Sequence, residues 1–284
     1  MAQKIAKILS AGTVGLESYL VEVEVDIGAG LPSFTIVGLP DKAIDESKER
    51  IRAAIKNSDV FFPQHRLTIN LAPADIKKEG PSFDLPMAVG ILLAGEQFDK
   101  IRDFEESVFV GELSLNGELR HVNGVLPIAM FAAEKGLKKI YLPEMNALEA
   151  SLVKGIEIIP IKSLIQLIKH LRGEEIIRPF DRKACQTSQK SRPQSEFDFA
   201  YVAGQEQAKR ALEVAAAGNH NVLLSGPPGS GKTLLARSMS SILPDMDEDE
   251  ILEVMKIYSV SGLIRGAGLL RTRPMTITFA SRMN

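Results

Sequence analysis

Eight consecutive residues in the last quarter of the chain have the types and spacing that bind phosphate groups. They match the pattern G-x-x-x-x-G-K-[ST] and are Gly226, Pro227, Pro228, Gly229, Ser230, Gly231, Lys232 and Thr233. Glycines let backbone N–H groups turn toward an anion, the lysine neutralises β- and γ-phosphates, and the threonine hydroxyl binds Mg²⁺. The motif therefore predicts a nucleotide site in which Thr233 is the protein ligand of Mg²⁺.

The elements on either side of this loop have the pattern that such a site needs. Residues 221–225 form a short apolar run that predicts a buried strand, and residues 233–241 predict a helix. A helix from about Gln205, with Gly218 as its C-cap, precedes them, and an acidic helix is predicted over residues 245–253. The loop is thus expected between a strand and a helix.

The first half of the chain predicts a separate α/β or α+β domain over residues 1–173. Residues 21–27 alternate valine or isoleucine with acidic residues, as a half-buried strand does, and Asp41 has the position of an N-cap for a helix to about Asn57. Further strands are predicted at 34–37, 67–71, 108–112 and 139–142, and further helices at 83–94, 126–135 and 163–171. A polar linker over residues 174–196 and a second domain over 197–284 follow.

Composition places few limits on function but several on location. The chain has 284 residues, a formal net charge of −2 and 45% hydrophobic residues, which suits about two globular domains. Its one cysteine, Cys185, suits a reducing compartment. The N-terminus lacks a secretory apolar core, and the longest apolar run, residues 85–94, is too short to span a bilayer. We expect a cytoplasmic protein without a membrane segment.

The second half resembles an AAA+ module of the magnesium-chelatase-like clade. The resemblance is carried by residues 198–212 ahead of the phosphate loop and by the motif Tyr-Ser-Val-Ser-Gly-Leu at residues 258–263. In AAA+ proteins the first of these segments lies along the adenine. The resemblance therefore implies ATP and Mg²⁺ as ligands, with base contacts from Val202, Gly204 and Gln205.

The first half resembles the Lon-protease C-terminal domain, a ribosomal S5 domain 2-type fold. Gly80, Pro81 and Ser82, followed by an apolar helix, are similar to the segment that holds the Lon nucleophile, and residues 110–119 and 136–143 are similar to later parts of that domain. A Lon-like domain followed by the front part of an AAA+ module is the order of the ComM/YifB family, in which intact members resemble hexameric ring helicases that act on DNA.

A Lon-type peptidase needs a base beside its serine. Ser82 fills the nucleophile position, but Ile128 stands where the family carries the lysine, and an isoleucine cannot accept a proton. His121 is the nearest alternative base in sequence. We therefore expect Ser82 to be catalytically inactive, with a Lon-like peptidase and a non-catalytic adaptor that docks partners as the alternative functions.

The other parts of an AAA+ motor are not found in this sequence. No apolar strand ending in Asp-Glu follows Thr233, and the acidic run at residues 245–250 has the pattern of a charged helix start. Because the Asp-Glu pair, a sensor and an arginine finger are all missing from this sequence, we expect weak nucleotide binding and hydrolysis near the background rate. Residues 275–284 depart from the family pattern, as in a truncated or frame-shifted reading.

DNA is the partner that the family resemblance implies. Four arginines follow the last acidic residue, Glu253, and give the final segment a positive bias; they are Arg265, Arg271, Arg273 and Arg282. Such a group is as common on a solvated surface as in a DNA-binding site. The sequence therefore leaves DNA binding open.

Overall fold

The computed structural model describes residues 5–98, 102–181, 197–264 and 273–274. The chain forms two compact units. The first unit comprises Met1–Cys185 and Met255–Gly268, and the second comprises Gln186–Val254 and Leu269–Asn284. Most of the linker predicted at residues 174–196, together with Cys185, lies outside the described residues, so the predicted domain boundaries stay predictions.

Most strands of the first unit belong to one mixed sheet. The described strands are β1 (Ala6–Val14), β2 (Glu17–Gly28), β3 (Ser33–Val37), β4 (Arg66–Ala72), β5 (Ser107–Phe109), β6 (Glu112–Leu113), β7 (Leu119–Arg120), β8 (Lys139–Pro143) and β9 (Glu157–Ile161). Seven of them are ordered β3-β4-β2-β1-β5-β8-β9, while β6 and β7 form a hairpin of their own. Strand β2 is antiparallel to β1 and β4, and the other neighbours in the large sheet are parallel. The predicted α/β class is confirmed.

Strand β2 lies near the middle of the sheet, and its burial on one face explains why valine alternates with acidic residues in its sequence. Val21, Val23 and Val25 are fully buried, and the acidic residues between them are partly exposed. Strand β1 was not predicted, because its buried face includes Ser10, whose Oγ donates a hydrogen bond to Phe109 O at 2.9 Å. Strand β9 was not predicted either, since it contains Pro160, which the edge of a sheet tolerates.

Helices cover the sheet of the first unit. They are α1 (Lys42–Lys56), α2 (Asp84–Ala94), α3 (Val125–Glu134), α4 (Ala147–Ala150) and α5 (Leu164–Leu171). The predicted cap of α1 is confirmed, because Asp41 Oδ1 accepts a hydrogen bond from Ile44 N at 2.8 Å. Helix α2 packs closely on β2 at Gly90, where a Cβ would lie only 2.6 Å from a methyl carbon of Val25.

The second unit is built from helices around a small apolar core. Its helices are α6 (Glu206–Gly218) and α7 (Lys232–Ser238), and α8 (Glu248–Val260) begins among its residues and ends among those of the first unit. The core consists of Phe199, Val202, Leu212, Ala215, Leu235 and Met239. Among the described residues, no helix is long and apolar enough to cross a membrane.

The strand predicted at residues 221–225 is wrong. The structure has no strand there, and the side chain of Leu223 is 91% exposed. A strand forms only when its backbone groups pair with a neighbour, and the described residues of the second unit include no other strand. The apolar sequence is therefore present without the sheet that would bury it.

Two helix ends also differ from prediction. Gly218 is the last residue of α6 rather than its cap, and Asn219 takes the left-handed conformation that closes the helix, with φ +53°. Helix α8 begins at Glu248 and continues to Val260, beyond the predicted end at Glu253, because its second half carries buried residues, Met255 and Ser259.

Candidate functional site

The phosphate loop has the backbone conformation that its glycines permit. Gly229 and Gly231 both have φ +79°, a left-handed value that side chains disfavour, and a Cβ on either would meet no atom within 4 Å. These glycines are therefore needed for conformation and not for space. Gly231 is the residue before α7, so the loop turns directly into a helix that begins with Lys232.

Lys232 lies against the first turn of this loop. Its Nζ donates hydrogen bonds to Gly226 O at 2.9 Å, to Pro227 O at 2.6 Å and to Ser230 Oγ at 3.2 Å. Ser230 Oγ in turn donates to Pro227 O at 2.9 Å. Thr233 is exposed at the second position of α7. The cation and the hydroxyl that the motif requires are thus next to a loop of the required shape.

The three residues predicted to contact a base lie in different environments. Gln205 is close to the loop, because its Nε2 donates to Ser230 O at 3.4 Å, and Gly204 beside it has φ +65°. Val202 is buried in the apolar core of the second unit with Leu212 and Leu235. The structure therefore brings Gln205 together with the phosphate loop and places Val202 beneath the surface.

These residues form a donor set that suits MgATP. A glycine turn with left-handed positions, one ammonium group and a hydroxyl at a helix start supply N–H, N⁺–H and O–H groups for phosphate and metal. No cluster of three or more histidine, cysteine or acidic residues that could hold a metal ion occurs within the described parts of the chain. Thr233 is the residue of this motif whose hydroxyl oxygen would bind Mg²⁺.

Ser82 occupies a second glycine-led turn, in the first unit. It belongs to a 3₁₀ turn, Pro81–Phe83, is 9% exposed, and its carbonyl accepts a hydrogen bond from Gly111 N at 2.9 Å. Ile128 is buried on α3. His121 Nε2 lies 3.9 Å from Glu149 Oε1.

A buried ion pair that the sequence did not reveal follows this turn. Asp84 is fully buried and accepts hydrogen bonds from Arg50 Nε at 2.7 Å, from Arg50 Nη2 at 3.1 Å and from Leu113 N at 3.2 Å. Burial raises the pKa of Asp84, and the hydrogen bonds from Arg50 oppose that rise. Asp84 thus fixes the start of α2 to α1 and to the β6–β7 hairpin.

Lys78 is a second buried charged residue before this turn. Its side chain is fully buried, and its Nζ donates to Ile76 O at 2.7 Å and to Pro73 O. Burial lowers the pKa of the Lys78 ammonium. No periodicity in the sequence distinguished Lys78 from its exposed neighbour Lys77, because both lie in a loop.

The arginines of the final segment are only partly described. Arg273 Nη2 pairs with both carboxylate oxygens of Glu250, at 2.7 and 2.5 Å. This ion pair lowers the pKa of Glu250. Arg265, Arg271, Arg282 and residues 275–284 lie outside the described residues.

Two family descriptions match the sequence. One, "Subunit ChlI of Mg-chelatase", matches residues 23–146. The other, "Magnesium chelatase, subunit ChlI", matches residues 198–282, which include the phosphate loop and the Tyr-Ser-Val-Ser-Gly-Leu motif. The two matches together cover parts of both units.

Individual relatives are similar over most of the chain. Competence protein ComM of Haemophilus influenzae is 40% identical over 258 residues, which are 90% of this chain and 50% of that protein. The uncharacterized protein YifB of Escherichia coli is 41% identical over 250 residues, 87% of this chain and 47% of that protein. Lon protease 2 of Bacillus subtilis is 28% identical over 170 residues, 54% of this chain and 30% of that protein. The chain thus spans about half the length of ComM and YifB.

Proposed function

The chain belongs to the magnesium-chelatase-like family of ComM and YifB, and from this premise we propose that it binds MgATP at Gly226–Thr233 as part of an AAA+ ATPase. The observation that carries the proposal is the position of Lys232, whose Nζ lies within hydrogen-bond distance of three loop atoms. Family membership supports the same ligand independently.

Each residue of the loop has a separate role in this proposal. Lys232 neutralises phosphate charge, Thr233 ligates Mg²⁺, and the left-handed glycines let backbone N–H groups point at phosphate oxygens. Gln205 orients the loop through its hydrogen bond to Ser230 O, and in this proposal Gly204 and the backbone of Val202, whose side chain is buried, would face the base. MgATP, when bound, supplies the phosphoanhydride bond whose hydrolysis drives conformational work.

A pair of lysine variants tests the nucleotide site. Lys232→Ala removes the ammonium of the loop, and we expect it to abolish measurable binding of a fluorescent ATP analogue in the presence of Mg²⁺. Lys209→Ala is the matched control, since Lys209 lies on α6 in the same unit and pairs with Glu206 at 3.7 Å. Equal affinities of the two variants would place the nucleotide elsewhere.

The proposal extends to the whole protein through its relatives. The name of ComM links that relative to competence, and we propose that the full-length form of this protein is an ATP-driven motor that acts on DNA as a homo-oligomeric, hexameric ring. We place it in the cytoplasm, where a single cysteine stays reduced. A test is the ATPase rate of the full-length protein with and without single- and double-stranded DNA; stimulation by either supports the motor, and no stimulation contradicts it.

A further inference from the structure

The Tyr-Ser-Val-Ser-Gly-Leu motif at residues 258–263 lies at the end of α8, and nucleotide binding assigns it no role. Within this stretch Ser259 is almost fully buried, whereas Ser261 and Leu263 are exposed. Met255, one helical turn before Ser259, and Ile264 after the motif are buried as well. One face of the segment Met255–Ile264 is therefore packed, and its contacts belong to the first unit.

Helix α3 of the first unit lacks a cap of its own. The residue before it is Gly124, which has no side chain to accept hydrogen bonds from the first backbone N–H groups. Such groups cost free energy when they are buried without a partner. Ser259 supplies two acceptors at this helix start, because its Oγ accepts from Leu126 N at 3.3 Å and its carbonyl accepts from Gly124 N at 3.0 Å.

A buried polar pair, Asn146 and Glu149, lies on the same part of the first unit, and Glu149 is the member near Ser259. Asn146 is fully buried, and its amide holds the backbone of Val122 through hydrogen bonds of 3.0 and 2.7 Å and donates to Glu149 Oε1 at 2.5 Å. Glu149 is buried, and burial raises the pKa of its carboxyl, while the Asn146 amide and, to a smaller extent, the Ser259 hydroxyl oppose that rise. The segment thus docks on polar groups that water cannot reach.

Gly262, the glycine of the motif, lies close against Asn123 of the first unit. Gly262 has φ +69°, and its N–H donates to the carbonyl of Ser259 at 3.2 Å, which ends the helix. A Cβ at this position would lie 2.9 Å from both side-chain polar atoms of Asn123. A residue with a side chain would therefore be strained here and would push against the residue next to Gly124.

We propose that residues 258–263 are an anchor sequence that docks the end of α8 on the first unit, with Ser259 as the N-terminal cap of α3. The receptor surface is formed by Asn123, Gly124, Leu126 and Glu149. The occupant is this chain's own segment Met255–Ile264. The motif's role is then intramolecular docking and not contact with nucleotide, so it stands independently of the proposed ATP site.

Amide hydrogen exchange of the full chain without nucleotide tests this proposal. Ser259→Ala removes the hydroxyl, and exchange should rise about fivefold in peptides covering residues 124–130 and 255–264, the change expected for the loss of a typical helix cap. Ser261→Ala is the matched control, because its hydroxyl is exposed and donates to Ile257 O, in α8, at 2.8 Å. It should leave both peptides unchanged.

Gly262→Ala should undock the segment Met255–Ile264 in a second way, because its new methyl group would press against Asn123 while Ser259 stays intact. It should raise exchange in the same two peptides. Equal exchange in Ser259→Ala and Ser261→Ala would overturn the proposal. A rise in only one of the two peptides, or a rise spread evenly over the chain including β2, would overturn it as well.

Discussion

Two of the glycine-led turns in the described parts of the chain, at Gly226–Thr233 and Gly80–Ser82, each lead into a helix, and their surroundings differ. The loop at Gly226–Thr233 is exposed, and its lysine lies beside backbone carbonyls at the surface. In the turn at Gly80–Ser82, Gly80 and Pro81 are half-buried and Ser82 is buried, and the turn is followed by Asp84, which an ion pair holds in place. Both turns begin with a glycine, but only in the loop does an ammonium group, that of Lys232, bond to the carbonyls of the turn itself, and we expect this difference to decide their chemistry.

Of the variants that test this comparison, Asp84→Ala should have the largest effect, on the free energy of unfolding. Asp84→Ala leaves Arg50 partly buried without its carboxylate partner and removes the acceptor of Leu113 N, so we expect a loss of about 3 kcal/mol in the free energy of unfolding. Chemical denaturation followed by circular dichroism measures it. The control Asp45→Ala breaks an exposed pair with Lys48 and should cost less than about 0.5 kcal/mol. Equal effects of the two would show that the turn at Gly80–Ser82 is not held by its ion pair.

A glycine-to-alanine change should lower MgATP affinity in one turn and the stability of the first unit in the other. Gly231→Ala places a side chain at φ +79°, which costs about 1–2 kcal/mol of conformational energy in the loop. We therefore expect MgATP affinity to fall about tenfold, with little change in the free energy of unfolding of the first unit. Gly80→Ala, at φ +84° and ψ 169°, should lower the stability of the first unit by about 1–3 kcal/mol and leave MgATP affinity unchanged. A loss of nucleotide affinity in Gly80→Ala would contradict the separation of the two turns.

The smallest effect should come from Ser82. We expect Ser82→Ala to leave nucleotide affinity and every other measured activity unchanged, because Ile128, which cannot accept a proton, stands where the resemblance to Lon places the lysine base. A fluorophosphonate probe, followed by peptide mapping, checks the same point in the unmodified chain. Covalent labelling at Ser82, or an ATP-dependent proteolysis lost in the variant, would show that the turn does hold a peptidase site.

The sequence predicted those parts of the fold that depend on local pattern. The valines of β2 and the Asp41 cap of α1 are each explained by residues within a few positions, and both predictions are confirmed. The glycines at positions 229 and 231 follow the same local logic, since both take left-handed φ values, while phosphate binding by the loop stays a prediction.

What the sequence did not reveal depends on residues far apart in the chain. Arg50 and Asp84 are separated by 34 positions, and Leu126 and Ser259 by 133 positions, so no periodicity could pair them. The strand predicted at residues 221–225 failed for the same reason, because a strand is defined by its neighbour. Lys78 can be buried because its ammonium group donates hydrogen bonds to two carbonyl oxygens of the same loop.

Calorimetric titration of the unmodified chain with a non-hydrolysable ATP analogue and Mg²⁺ tests the central claim most directly. We predict saturable binding with one site per chain, weakened when Mg²⁺ is omitted because Thr233 then has no metal to ligate. The absence of a binding isotherm at millimolar analogue, with the chain shown to be folded, would contradict the assignment of Gly226–Thr233 as a nucleotide site.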